Sequence, residues 1–438
     1  MQMNAESLKV AIVGTGLAGL AAANRLAQSG RPVLLTLFEK SSRLGGRAGT
    51  TVKDGYYLNL GAHALYKAGP AMSFLQQSGI DIKGAPPVQA NSQILAGDKL
   101  YALPIDAASA LSTGLLSVGE KLEWANIISS LGKIDTEALN SVTLTAWLHE
   151  LTSSVKIRQL LLTMVRLGTY ANCPDLMSAG AAIRQLVLGL AGVLYLDHGW
   201  QSLVDALRAA IDVPVDEHLG CAVESIHNDV SGKVVLNCKE ISLEFDHVVL
   251  AVPPQQVHKL MPQALSESFV DSLVPCRIAC FDVCLSSLPK RQNSFALGLD
   301  SPLYYSVHSN AANLTPGKTQ AIVQMGYYLE PSEVAGDHAL HAMTDLLDRL
   351  QPGWQDLVVY KRYLPDMVAS FSMPLASGGG GNGLSNVSLV EHGSAKVVAC
   401  GDWVGDSAQL ADASVASGLK AADAILEAAS APVANSLS

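Results

Sequence analysis

The chain is short of charge. Only 16% of its 438 residues are Asp, Glu, Lys or Arg, and Lys and Arg nowhere gather into a run. With a formal net charge of −10, this excludes a general nucleic-acid partner, because neutralising phosphates needs clustered cations. Aromatic residues are scarce too, at 5%. Long apolar runs are missing: the most apolar later stretch, Leu186 to Leu196, is about half of the roughly 20 residues that a membrane span requires. Residues 1–7 are short and polar, so no signal peptide is expected before the first strand. The seven cysteines include no CxxC pair and no histidine partner at zinc spacing. They are expected as small apolar residues in a reduced, cytoplasmic core, with no metal site. What is abundant is hydrophobic residues, 49%, which argues against disorder. The length favours two domains or one large interleaved unit.

The first forty residues carry the strongest local pattern. Val10 to Val13 reads as a buried parallel strand, GTGLAG follows, and LAAANRLAQSG has helical periodicity ending at Gly30. Pro32 stops that helix, and VLLTLFEK supplies a second strand. This βαβ context turns GxGxxG into a dinucleotide fingerprint. Gly14 makes the tight turn, Gly16 lets the backbone approach a pyrophosphate, and Gly19 permits close helix–strand packing. The amides of Leu17 and Ala18 open the helix and face the anion. Glu39 ends the second strand, with Lys40 beside it, and is placed for a ribose hydroxyl pair. A carboxylate there disfavours a 2′-phosphate, which excludes NADP but leaves NAD and FAD open.

The following residues separate those two. SSRLGGRAGT sets a glycine pair and an arginine just after Glu39, and GYYLNLGAHALY follows. With these segments the chain resembles the FAD-dependent oxidoreductases that include amine oxidases, protoporphyrinogen oxidase and phytoene desaturases. The resemblance implies that Gly45, Gly46 and Arg47 meet the diphosphate and ribityl side of FAD. It also implies that Gly61 and Ala62 pass the isoalloxazine, and that Val223 meets the adenine. Near the C-terminus, KVVACGDWVGDSAQLADASVASGLKAADAIL is similar to the family's closing motif. Gly401 and Asp402 would meet ribityl or pyrophosphate-side hydroxyls, and a helix starting at Leu410 and Ala411 would aim its dipole at the flavin. No cysteine sits in a family attachment motif, so the FAD is expected to be non-covalent.

The expected fold is α/β: a Rossmann-like FAD-binding domain from 1–70, 195–255 and 390–438, interleaved with a mixed α+β substrate domain from 71–194 and 256–389. SGGGGNG, residues 377–383, is expected as a floppy loop. For the chemistry, His63 and Tyr66 in GAHALY and Trp403 beside Asp402 are the candidates. Tyr304, Ser306 and His308 would share one face of a strand and are expected to pack in the core. The implied activity is hydride removal from a C–N or C–C bond of a small organic, biosynthetic substrate. No second GxGxxG offers a nicotinamide site, so electrons would leave to oxygen or a quinone. A flavin-dependent isomerase and a non-catalytic escort protein are the alternatives. A homodimer and peripheral membrane contact stay open.

Overall fold

The structure, a computed structural model, describes residues 7–88, 90–229, 232–392, 395–406 and 408–430. Its first layer is a six-stranded sheet built from distant parts of the chain: β1 (Leu8–Val13), β2 (Val33–Glu39), β3 (Val215–Leu219), β4 (His247–Leu250), β5 (Ser388–His392) and β6 (Ala395–Ala399). The order is β3-β2-β1-β4-β6-β5, with only the last pair antiparallel. The central strand β1 is apolar on both faces because both are covered, and Val10, Ala11 and Ile12 are fully buried.

Among the helices, α1 (Leu17–Ala27), α2 (Pro70–Gln77), α3 (Val155–Thr169) and α4 (Leu410–Ala428) position the site. Helix α1 presents Ala21, Ala22 and Ala23, all fully buried. These short side chains let it lie close to the sheet and to α4, which joins the same hydrophobic core through Val415, Ala421 and Ala422. Residues of α2, and Val257 to Val270 after β4, also enter that core. No described helix is long and apolar enough to cross a membrane.

The second layer is a seven-stranded, mostly antiparallel sheet whose second and third strands are Cys276–Leu285 and Ala321–Leu329. Its residues alternate as strand geometry requires. Cys276, Ile278 and Cys280 pack against a helical cluster that includes α3, while Ala279, Phe281 and Val283 pack on the opposite side. The sheet also braces the chain between the layers. The buried Asp282 holds Arg362, whose guanidinium donates to the Asn59 carbonyl, and Gln324 donates to the Gly61 carbonyl at 3.4 Å.

Two expectations need correction. Cys221 and Cys238 form a disulfide, so the cysteines are not all free thiols packed as small apolar residues. That pairing joins a loop to a strand across 17 residues, a spacing without any motif. The glycine-rich segment 377–383 is not floppy either. Asn382 is 2% exposed, its amide donates to the Gly405 carbonyl at 2.8 Å, and its side chain donates to the Ala408 carbonyl at 2.6 Å. A Cβ at Gly380 would stand 2.9 Å from the side chains of Asn140 and Ser178. Glycine serves close packing there, a need that composition does not reveal.

Candidate functional site

One cavity of about 1010 Å³ runs between the two layers. Every residue expected at the site lines it except Gly19. At one end, Gly14 has φ +94°, and a Cβ there would lie 2.4 Å from the Ala251 carbonyl oxygen. At Gly19 a Cβ would meet the Gly14 carbonyl at 2.0 Å, so Gly19 serves helix–strand packing and does not reach the cavity. Gly16 differs. Its conformation is ordinary, and the nearest atom to a Cβ placed there is the Gly45 oxygen at 4.0 Å. Gly46, in a left-handed turn with φ +53°, faces the Gly16 Cα across that opening. The Gly45 amide donates to the Thr15 carbonyl at 3.0 Å and fixes the two turns together.

Helix α1 starts at this opening with Leu17 and Ala18. No side chain caps it and no acidic residue sits in its first turn. Its leading amides therefore lack partners within the helix, and an anion would satisfy them. Beside them Glu39, 5% exposed, is held in place by three donors. Oε2 accepts from the Thr15 amide and hydroxyl at 3.0 and 2.8 Å, and Oε1 from the Ser41 amide at 2.9 Å. Lys40 lines the cavity next to it, and Val223 does so from the loop where the Cys221 amide donates to the Glu39 carbonyl. The slot has glycine on two sides, uncapped helix amides at its base and a fixed carboxylate alongside. These residues fit a dinucleotide with an unphosphorylated ribose.

At the other end, Arg47 and Asp402 are brought together. Their sequence context suggests separate cofactor contacts, yet they form a bidentate ion pair, with Nη1–Oδ2 at 2.8 Å and Nη2–Oδ1 at 3.0 Å. Asp402 is 1% exposed and also accepts from the Phe371 amide at 3.2 Å. Arg47 donates a further bond to the Ala369 carbonyl at 2.9 Å, and its guanidinium lies 4.5 Å over the Phe371 ring. Phe371 carries no signal in the sequence, because its position depends on where the strand Val358–Ser370 ends.

Helix α4 begins here through Leu410, whose φ is +56°, followed by Ala411, and no side chain caps it. Asp412, one residue further on, accepts from the Ala71 amide in the first turn of α2 at 2.8 Å. Burial pushes its carboxyl up to about 6, although that hydrogen bond pulls the other way. Gly401 precedes Asp402, and the Trp403 indole, 1% exposed, donates to the Val252 carbonyl at 3.2 Å.

Gly61, Ala62 and His63 cross this end of the cavity. His63 Nδ1 lies 3.0 Å from the Gly61 carbonyl oxygen, which can only accept, so Nδ1 carries the proton. Burial holds the imidazole below its ordinary range, while hydrogen bonding to the Gly61 and Arg47 backbone pulls the other way. Trp200, not singled out in the sequence, packs against His63 at 4.8 Å between ring centres. Tyr66 lines the cavity with its hydroxyl donating to the Gly168 carbonyl. Tyr304, Ser306 and His308 lie outside the lining. Tyr304 and Ser306 lie on the strand Leu303–Ser306, but His308 opens a 3-10 helix beyond it, so the three do not share a strand face. They still pack in the core, with Tyr304 meeting His308 Nε2 at 2.7 Å and the Tyr195 ring stacked on His308 at 3.7 Å.

The family model described as flavin containing amine oxidoreductase matches residues 17–273. A coproporphyrinogen III oxidase of Mycobacterium leprae is 26% identical over 285 residues, covering 58% of this chain and 61% of that protein. The chain thus spans less than two thirds of that relative. A 4,4'-diapophytoene desaturase of Staphylococcus aureus is 44% identical over 54 residues, 12% of this chain and 10% of that protein. Among solved structures, cyclohexylamine oxidase from Brevibacterium oxydans aligns with a TM-score of 0.67 at 19% identity, covering 96% of this chain and 99% of that one. At that identity it shares the fold. The chain belongs to the flavin containing amine oxidoreductase family.

Proposed function

We propose that the protein is an FAD-dependent oxidoreductase that holds its FAD non-covalently and removes hydride from a neutral, apolar organic substrate. The single observation that carries this reading is the continuous cavity, with a phosphate cradle at Gly16 and Gly46 and a flavin end whose charges are already engaged. The proposed division of labour gives 1–70, 195–255 and 390–438 to the cofactor and 71–194 and 256–389 to the substrate. FAD, when bound, supplies the hydride acceptor.

The chain's own residues have three tasks. Gly14, Gly16 and the α1 amides hold the diphosphate, and Glu39 the adenosine ribose. The start of α4 directs its positive dipole end towards the cofactor, which favours negative charge there. His63, hydrogen-bonded to Gly61 and packed on Trp200, walls the flavin end.

The charge inventory supports an uncharged substrate. Arg47 is paired with Asp402, and Asp412 is bound to the start of α2. The other charged lining residues, Glu39, Lys40, Glu224 and Lys259, lie at the end of β2, just after it, beside Val223 and after β4, with the nucleotide end. An ammonium substrate would want a free carboxylate at the flavin end, and a carboxylated ring would want free cations. Arg47 and Asp402 neutralise each other there. Asp412, which has no cation partner among the described residues, is already hydrogen-bonded to the start of α2, and this favours a neutral unsaturated or saturated carbon chain or ring.

Anaerobic addition of three probes to the FAD-loaded protein tests this choice: a neutral polyene in detergent, a primary amine and a carboxylated porphyrinogen. Bleaching of the flavin by the polyene at least tenfold faster than by the other two is expected, with colour returning in air. Equal or faster bleaching by the amine or the porphyrinogen overturns the substrate class.

A further inference from the structure

Two tyrosines tie the segment that crosses the flavin end to the end of α3, in opposite directions. The Tyr66 hydroxyl donates to the Gly168 carbonyl at 2.9 Å, and the Tyr170 hydroxyl donates to the Ala62 carbonyl. Both side chains line the cavity. Each phenol thus reaches the backbone beside the other's position, forming a reciprocal clasp between Ala62–Tyr66 and Gly168–Tyr170.

The backbone at Tyr170 is unusual. Tyr170 ends α3 in the left-handed conformation, φ 62° and ψ 1°, where helices usually place glycine or asparagine. Six described residues other than glycine have positive φ: Asp54, Asn91, Tyr170, His198, Lys239 and Leu410. Asp, Asn and His tolerate that region, whereas an aromatic or a leucine is unusual in it. Of the other three, Lys239 lies in the turn between the strands Val234–Cys238 and Ile241–Phe245, while Tyr170 and Leu410 line the cofactor cavity. Glycine at 170 would relax the helix end but would remove the phenol that reaches Ala62.

The α3 side of the clasp is anchored. Arg166 donates to the Asn172 side chain at 2.7 Å, Asn172 donates to the Tyr328 carbonyl at 2.9 Å, and the Tyr328 ring meets that of Tyr170 edge-on at 5.8 Å. The other side is slighter: Gly61 has φ +88°, and only Leu65 and Tyr66 pair as a strand, with Val193 and Leu194. The clasp therefore fixes the weaker element to the stronger one. Burial pushes the Tyr66 phenol up to about 12 and Tyr170 well above its ordinary value, so both stay donors at neutral pH.

We infer that Tyr66 and Tyr170 are positioning residues that set the width of the slot between Gly61–His63 and α3, and so the access of substrate and solvent to the flavin end. This rests on the reading that the cavity holds FAD. The test uses Y66F, Y170F and the double variant, which keep the rings, with Y328F as a control. Hydrogen exchange of the peptide spanning residues 61–66 reports the clasp with or without cofactor. Iodide quenching of bound-flavin fluorescence reports the slot.

In the double variant, exchange at least tenfold faster and a quenching constant at least fivefold higher are expected, at unchanged FAD content and with the single variants between. Exchange as slow as in the wild type overturns the clasp. Faster exchange with unchanged quenching, loss of FAD, or an equal rise in Y328F overturns its role at the slot. A wild-type protein that takes up no FAD overturns the underlying reading instead, while the exchange data still judge the clasp.

Discussion

Gly16→Ala is expected to lower FAD affinity at least 100-fold while leaving the apoprotein's stability within about 1 kcal/mol of wild type. Gly14→Ala is expected to cost about 3 kcal/mol of stability before any cofactor is considered. The two glycines sit two residues apart in one motif, but their surroundings differ. A methyl at Gly16 meets nothing closer than 4.0 Å, so the protein accepts it, and it projects into the opening opposite Gly46 where a diphosphate has to fit. A methyl at Gly14 collides with the Ala251 carbonyl at 2.4 Å in a backbone conformation that disfavours side chains. Urea melts of the two apoproteins, with titration by FAD, separate these effects. Equal melting together with equal affinity would show that the cradle is misassigned.

Asp402→Ala is expected to destabilise the protein by about 3 kcal/mol and to remove FAD binding, with Arg47→Ala worse for stability. The order follows from who is left behind. Asp402 is 1% exposed and Arg47 37%, so an orphaned arginine can turn towards solvent, whereas an orphaned Asp402 keeps its charge buried beside the Phe371 amide alone. Removing Asp402 also leaves that amide unpaired and frees the Arg47 side chain that the pair holds across the cavity wall. Denaturant unfolding of both variants checks the order. Wild-type stability and retained flavin in Asp402→Ala would contradict the assignment of this pair to the site.

How far the sequence reveals the site depends on how local each signal is. Gly14, Gly16, Gly19 and Glu39 are legible because strand, turn, helix and strand follow within forty residues, and β1 and β2 then pair as that pattern requires. Gly401, Asp402, Leu410 and Ala411 are legible only through resemblance, yet they line the same cavity. The pairing of Arg47 with Asp402 spans 355 residues and joins the turn after β2 to the loop after β6, so no spacing announces it. Tyr170 is hidden for a related reason. A tyrosine after an amphipathic helix reads as an ordinary boundary until its left-handed backbone and its bond to Ala62 are seen. The glycines of 377–383 misled because glycine supports both looseness and close contact, and only the neighbours Asn140 and Ser178 decide between them.

The central claim, one non-covalently held FAD across the two layers, has a direct measurement. The purified protein is saturated with FAD, desalted, and its visible spectrum recorded; it is then heat-denatured and the flavin in supernatant and pellet identified by mass. One FAD per chain, released intact to the supernatant, is the predicted result. A colourless desalted protein, a released flavin lacking the adenosine half, or flavin retained in the pellet would contradict it.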